Sequence, residues 1–232
     1  MIKGVPTLFH TPLPARQPAQ IKEGLVFLPE ALGISVQAQL VHEAREYARS
    51  LQRTPFAMQR PHTRTGQMKV YMFQLGRHWG YEYGRYASEV EGQSVPPVPK
   101  HWVTLAQGLL AKAAALDEAL AAWVGHYRIE AALVNFYPEG ASMGMHQDAF
   151  EHSNAPVVSL SIGDEAIFRA GNNETRTKPY EDLRLMSGDV VIFGGPSRAM
   201  FHGVPKLFPD TAPSDCGLQS GRINITFRQV EV

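Results

Sequence analysis

Residues 146 to 148 of this 232-residue chain read His146-Gln147-Asp148 and follow a Pro- and Gly-rich turn in the stretch NFYPEGASMGMHQDAF. Imidazole and carboxylate are both ligands for divalent transition metals. In an extended strand, positions two apart point the same way, so His146 and Asp148 can close on one ion. A surface strand with polar tips has the same spacing, and an H-x-D pair alone does not choose between the two. An open site of the two-histidine, one-carboxylate kind needs one more histidine from a distant strand. His202, in RAMFHGV near a strand end, is the first candidate, and His152, in the polar loop FEHSNAP, is the second.

A second pattern is independent of the first. In GRINITFRQ, Arg222, Asn224, Thr226 and Arg228 alternate with Ile223, Ile225 and Phe227, which puts the four polar side chains on one strand face. That face can be plain solvent. Two guanidinium groups beside an amide are also suited to gripping a small dicarboxylate, because the planar fork pairs with carboxylate bidentately. Asn135 and Tyr137, again two apart, can complete such a cradle.

The elements that must position these residues are legible from periodicity. SVQAQLVHEAREYARSL, 35 to 51, has helical spacing with Ser35 available as N-cap. The Ala/Leu-rich stretch from Pro99 to about Val124 predicts helix with a break near Leu116. Residues 54 to 98 are rich in Arg, Gly, Pro and aromatics and predict hairpins and mobile loops. Beyond them come AALVNFY, PVVSLSIG, EAIFRAG, DLRLMSGDVVIFGG, RAMFHGV and GRINITFRQVEV, short β-type runs that predict an antiparallel sandwich or jelly roll. In MSGDVVIF, Gly188 is free to take an unusual backbone angle in the turn.

Composition bounds the partners. The net charge is zero and 44% of residues are hydrophobic, enough for a sizeable core. Residues 1 to 100 hold 12 Lys and Arg against 7 Glu and no Asp, while the remainder holds 10 basic against 15 acidic residues. Arg53, Arg60, Arg64, Lys69, Arg77 and Arg85 recur through one segment that can track a phosphate backbone or form a solvated face. One cysteine, Cys216, cannot make an internal disulfide, which points to a reducing, cytoplasmic setting. No apolar run reaches membrane-spanning length, and the proline-broken N-terminus does not read as a targeting segment.

Taken together, NFYPEGASMGMHQD, SLSIGDEAIFRAG, LMSGDVVIFGGPSRAMFHGV and RINITFR resemble the AlkB family of 2-oxoglutarate- and Fe(II)-dependent dioxygenases, in the family's order over roughly residues 25 to 230. The resemblance implies an α+β chain: a double-stranded β-helix (jelly roll) core with N-terminal helices and a nucleotide-recognition lid. Its bounds are an N-terminal extension at 1–24 and one domain at 25–232, with the lid at 54–98 and the core at 131–230. It implies Fe(II) on His146, Asp148 and His202, and 2-oxoglutarate on Asn135, Tyr137, Arg222, Asn224 and Arg228. The implied reaction removes N-methyl groups from bases of the 1-methyladenine and 3-methylcytosine type, releasing formaldehyde, succinate and carbon dioxide.

The partner implied is nucleic acid, single-stranded DNA or RNA, bound by a monomer. An extruded base needs flat walls, and the resemblance places Trp79 as the stacking aromatic, with the His146 ring opposite and Tyr86 and Arg176 nearby. Many relatives carry a second carboxylate two residues after the H-x-D aspartate, where this chain has Phe150. Glu151 next to it is then expected to accept the exocyclic amine, the alternative being that Phe150 replaces a polar contact with packing. Two other readings keep part of the pattern: a 2-oxoglutarate-dependent hydroxylase of a protein or small molecule, and a non-catalytic nucleic-acid-binding jelly roll.

Overall fold

Period-two patterning in the second half of the chain and 3.6-period patterning in the first are both realised in the computed structural model, which describes residues 16–63, 66–80 and 84–232. Arg64 of the basic segment lies outside the described residues. Strands β1 (Ala19–Lys22) and β2 (Leu25–Leu28) precede helix α1 (Ile34–Ser50). The Arg- and aromatic-rich segment forms β3 (His62–Thr63), β4 (Gly66–Gln67), β5 (Tyr71–Leu75), β6 (His78–Gly80), β7 (Arg85–Ala87), β8 (Glu89–Val90) and β9 (Gln93–Ser94). After helix α2 (Lys100–Ala114) and a 3-10 turn (Glu118–Trp123) come β10 (Ala131–Tyr137), β11 (Met143–His146), β12 (Val157–Gly163) and β13 (Glu165–Ala170). The chain ends with β14 (Glu181–Leu185), β15 (Val190–Phe193), β16 (His202–Phe208) and β17 (Arg222–Arg228).

Two large antiparallel sheets result, a seven-stranded one in the order β1-β2-β15-β12-β17-β10-β5 and a four-stranded one in the order β11-β16-β13-β14, and β3-β4, β6-β7 and β8-β9 form separate two-stranded ribbons. One face of the large sheet is covered by the helices. Val158, Leu160, Ile162, Ile223, Ile225 and Phe227 form one apolar cluster with Leu40, Val41 and Ala44 of α1 and Trp102, Ala106, Leu109 and Leu110 of α2. Trp102 Nε1 donates to Glu43 Oε2 at 2.6 Å, tying α2 to α1. The opposite face looks toward the small sheet, where Val157, Val191 and Phe193 meet Phe168, Ala170 and Leu185. The jelly-roll expectation therefore holds, with helices as a third layer.

Three local expectations meet the structure in different ways. Helix α1 has Gly33 as N-cap, two residues before Ser35, with no side-chain cap bond, and Leu32 N just ahead of it donates at 3.0 Å to Gly188 O in the loop before β15. That loop carries Gly188 at φ 91°, where a Cβ would lie 2.5 Å from Gln37 Nε2 and 2.8 Å from Leu32 O, so glycine is required there as expected. The predicted break near Leu116 is present, and Asp117 builds it: its Oδ1 accepts from Ala119 N at 3.0 Å and its Oδ2 from Gly24 N at 2.6 Å.

Each segment set apart in the sequence contributes one strand to an edge of the large sheet, and the other strands of 54–98 form ribbons of their own. Within 1–24, β1 pairs with β2 at an edge of the large sheet, and within 54–98, β5 pairs with β10 at the other edge. Their isolated sequences are too short and irregular to show period two, and tertiary pairing decides them.

Asp189 fastens the first of these edges. It is fully buried, its Oδ1 accepts from Arg16 Nη2 at 2.9 Å and Glu30 N at 2.9 Å, and its Oδ2 accepts from Arg16 Nη1 at 2.5 Å and Met186 N at 2.7 Å. Asp189→Ala strands two backbone donors while Arg16 turns to water, so urea unfolding should show a loss of about 2–4 kcal/mol. A loss under about 1 kcal/mol would mean that water replaces the carboxylate at no cost.

Candidate metal centre and the cavity around it

Strand pairing answers the question raised by the H-x-D spacing. His146 of β11 lies directly opposite His202 of β16, with ring centroids 4.4 Å apart. Asp148 Oδ1 is 3.7 Å from His146 Nε2 and its Oδ2 is 3.7 Å from His202 Nε2. One ligand atom from each of the three residues falls within 4.8 Å of the others, the only such group that could hold a metal among the described residues.

Each imidazole is held by its far nitrogen: His146 Nδ1 faces Gly144 O at 2.9 Å and His202 Nδ1 faces Met200 O at 3.2 Å. A Nδ1–H donated to a backbone carbonyl leaves the Nε2 lone pair for a metal. Phe193 and Phe168 flank the His202 ring at 4.9 and 5.7 Å. Burial, helped by His146, lowers the His202 pKa to about 4, against the opposing pull of Asp148, so this ring is neutral at physiological pH. The other candidate, His152, is 79% exposed and faces Glu231 at 3.6 Å, outside the group.

Asp148 is buried, and burial alone would raise its pKa. Arg228, His202, His146 and Arg198 together outweigh that, Arg228 contributing most among them, and the carboxyl is held well below the usual range. Arg228 Nη2 is 2.8 Å from Asp148 Oδ2, and its Nη1 is 3.0 Å from Glu151 Oε1. Glu151 in turn accepts from Tyr86 Oη at 2.6 Å and from Arg198 Nη2 at 2.9 Å. Arg198 also donates to Asp148 O at 2.5 Å and Ala155 O at 2.7 Å, fixing both ends of the loop after the H-x-D motif.

The three residues open into a cavity of about 610 Å³ between the sheets. Arg222, Asn224, Thr226 and Arg228 all line it, so the polar face of β17 is interior and not solvent. Strand register places Asn135 opposite Asn224 and Tyr137 opposite Arg222. Asn135 Nδ2 donates to Asn224 Oδ1 at 3.1 Å, and Asn224 Nδ2 donates to Ser159 Oγ at 2.8 Å. Arg222 Nε donates to Ser161 Oγ at 2.9 Å, and its guanidinium stands 5.1 Å from the Tyr137 ring.

The two arginines are unlike. Each has one buried nitrogen without a hydrogen-bond partner, Nε of Arg228 and Nη1 of Arg222, but Arg228 is matched by two carboxylates, whereas Arg222 is 1% exposed and has no ion pair among the described residues. Asn135 Oδ1 is also buried without a hydrogen-bond partner. A buried guanidinium without an anion is costly, and a carboxylate delivered into the cavity is what would satisfy it. The residues present therefore fit a dicarboxylate that reaches from the metal ligands toward Arg222.

At the mouth, Trp79, Tyr86, Phe150 and Arg176 line the same cavity. Trp79 is edge-on to Tyr86 at 5.2 Å and stacked on Phe150 at 4.2 Å. Arg176 is at the rim, 5.8 Å from the Phe201 ring. The expectation that Glu151 reaches a base is corrected: its side chain is fully buried, committed to Tyr86, Arg198 and Arg228, and absent from the cavity wall. Sequence reading missed Arg198, Ser159 and Ser161, and the only available signal was that Ser159 and Ser161 alternate with Leu160 and Ile162.

The sequence pattern of the 2OG-Fe(II) oxygenase superfamily matches residues 24–228. The chain is 34% identical to the DNA N(6)-methyladenine demethylase ALKBH1C of Arabidopsis thaliana over 230 residues, covering 90% of this chain and 49% of that protein. It is 40% identical to the tRNA demethylase abh1 of Schizosaccharomyces pombe over 115 residues, 45% of this chain and 38% of that protein. A solved structure of OsALKBH1 superposes with a TM-score of 0.76 at 28% identity, covering 91% of this chain and 99% of that one. The chain spans about half the length of the curated relatives it matches first.

Titration with Mn(II) tests the centre directly. His202→Ala should weaken binding by about 100-fold or more, since even residues behind a ligand contribute 10–100-fold, while His152→Ala should leave it unchanged. The reverse ranking would move the third ligand to His152.

Proposed function

We propose, from the premise that the chain belongs to the AlkB family within the 2OG-Fe(II) oxygenase superfamily, that it oxidatively removes N-methyl groups from bases in DNA or RNA. The observation that carries this is a single cavity with an ionised, neutralised metal-ligand set at one end of β17 and an anion-deficient Arg222 at the other. Iron with 2-oxoglutarate and dioxygen supplies the oxidation, giving succinate and carbon dioxide and turning the methyl group into formaldehyde.

The chain's own residues bind, orient and shield. His146, Asp148 and His202 would hold Fe(II), with the Gly144 and Met200 carbonyls fixing the rings. Arg228 holds the Asp148 carboxylate ionised and in place through its two Nη atoms, and its buried, unpartnered Nε leaves one donor for the near end of the 2-oxo acid. Arg222, with Asn135, Tyr137 and Asn224, would hold 2-oxoglutarate, Arg222 taking the carboxylate remote from the metal. Phe168, Phe193, Met143 and Met145 line the cavity and exclude water from the reacting carbon.

Trp79, Tyr86 and Arg176 surround the mouth where a base would arrive. An unpaired base pays no cost of leaving a duplex, which favours single strands. The exposed cations of the lid would meet the phosphates and make binding salt-dependent. Among the described residues no helix is long and apolar enough to cross a membrane, and we read the chain as a monomer working on nucleic acid in the cytoplasm.

A panel of single- and double-stranded DNA and RNA carrying 1-methyladenine, 3-methylcytosine or N6-methyladenine, scored by mass and by formaldehyde release, tests the proposal. N6-methyladenine belongs in it because a relative's name specifies that base. Loss of about 14 mass units per methyl from a single strand, dependent on 2-oxoglutarate, is the expected outcome. 2-Oxoglutarate turnover stimulated by a peptide and by no oligonucleotide would favour a protein hydroxylase.

A further inference from the structure

Phe150 is 52% exposed, more than any other large apolar side chain described except the terminal Val232. Such a ring in water is ordinary when isolated, but this one lies flat on Trp79, with centroids 4.2 Å apart and planes 25° apart. Both rings line the cavity that holds His146, Asp148 and His202. At that separation no third ring fits between them. A planar base can lie on this face of Trp79 only when Phe150 has left it.

The surroundings make one of the two rings a wall and the other movable. Trp79 is half-buried, its backbone N–H donates to Gln74 Oε1 at 2.7 Å, and Tyr86 braces it edge-on. Tyr86 is itself tied through its hydroxyl to Glu151. Phe150 sits between two anchored neighbours, since Arg198 grips the Asp148 carbonyl on one side and the Glu151 carboxylate on the other. Its backbone is pinned and its side chain is solvated, so it can depart by side-chain rotation without rearranging the loop.

The chemistry of the displaced contact identifies the ligand. Among the described residues lining the cavity, the only acid is Asp148, which is already paired with Arg228. A ring entering the mouth thus meets no free carboxylate, and the indole face is the electron-rich surface on offer. We propose that Trp79 is a planar-ring site that Phe150 fills in the free protein, and that the substrate base, by preference a cationic one, enters by displacing Phe150. This rests on the nucleic-acid reading above and adds a residue that sets the threshold for entry. Phe150 acts as a substitute base: a ligand must stack better than phenyl to gain the site, which favours wide or cationic rings over an undamaged pyrimidine.

The test uses the full chain loaded with Mn(II) and fluorescein-labelled single strands carrying one 1-methyladenine, with anisotropy as the readout. Phe150→Ala should tighten binding about five- to tenfold, within the range that stacking free energies allow, and Phe150→Trp should weaken it. A strand with an abasic site in place of the methylated base should bind all three proteins equally. Weaker binding by Phe150→Ala would make Phe150 a wall that stays with the base, and equal binding would make the stack mere surface packing; either overturns the proposal. Quenching of tryptophan fluorescence by the nucleoside 1-methyladenosine separates the two levels. If strands fail to bind but the nucleoside quenches Phe150→Ala at lower concentration than the parent, the ring site stands and the nucleic-acid reading falls. If neither probe binds, both fall.

Discussion

Strand β17 must put polar side chains into the interior of the protein, and most of the architecture answers that constraint. Its alternation sends Ile223, Ile225 and Phe227 under the helices and Arg222, Asn224, Thr226 and Arg228 into the cavity. A buried polar group costs free energy unless it is paired. The two flanking strands supply the partners in register: Asn135 and Tyr137 from β10, Ser159 and Ser161 from β12. Helices α1 and α2 then seal the other face, which lets the cavity face be polar without exposing the core.

Charge is balanced within the cavity at one end and left open at the other. Asp148, Glu151, Arg198 and Arg228 form a closed set of two acids and two bases, joined to the lid through the Tyr86 hydroxyl. That set keeps Asp148 ionised and fixes the loop that follows it. Arg222 stands outside it with an unpartnered Nη1. The same residue type therefore stands in two settings on one strand, six positions apart: one arginine is matched by the protein's own carboxylates and the other by none among the described residues, which is the setting the proposed 2-oxoglutarate site uses.

Much of this was legible in sequence because it depends on local period. H-x-D spacing, the alternation in GRINITFRQ, the pair Asn135/Tyr137 and the glycine turn at Gly188 each express a backbone geometry that repeats within a few residues. What escaped was set by contacts distant along the chain. Glu151 lies one position from Phe150, and nothing local says which faces the cavity; Arg198, 47 residues away, decides by drawing Glu151 inward. The edge strands β1 and β5 likewise take their state from β2 and β10. Arginine identity was legible, but its division of labour needed the positions of the carboxylates.

That division is the central claim, and the affinity of the Mn(II)-loaded protein for two 2-oxo acids measures it most directly. 2-Oxoglutarate and pyruvate share the 2-oxo acid end that a metal can take, and only the former carries a remote carboxylate for Arg222. Calorimetric titration should show the parent preferring 2-oxoglutarate by about tenfold or more, the scale of one buried charge-assisted pair. In Arg222→Gln that preference should collapse while pyruvate binds as in the parent. A preference that survives in Arg222→Gln would place the remote carboxylate elsewhere and contradict the division of labour between the two arginines of β17.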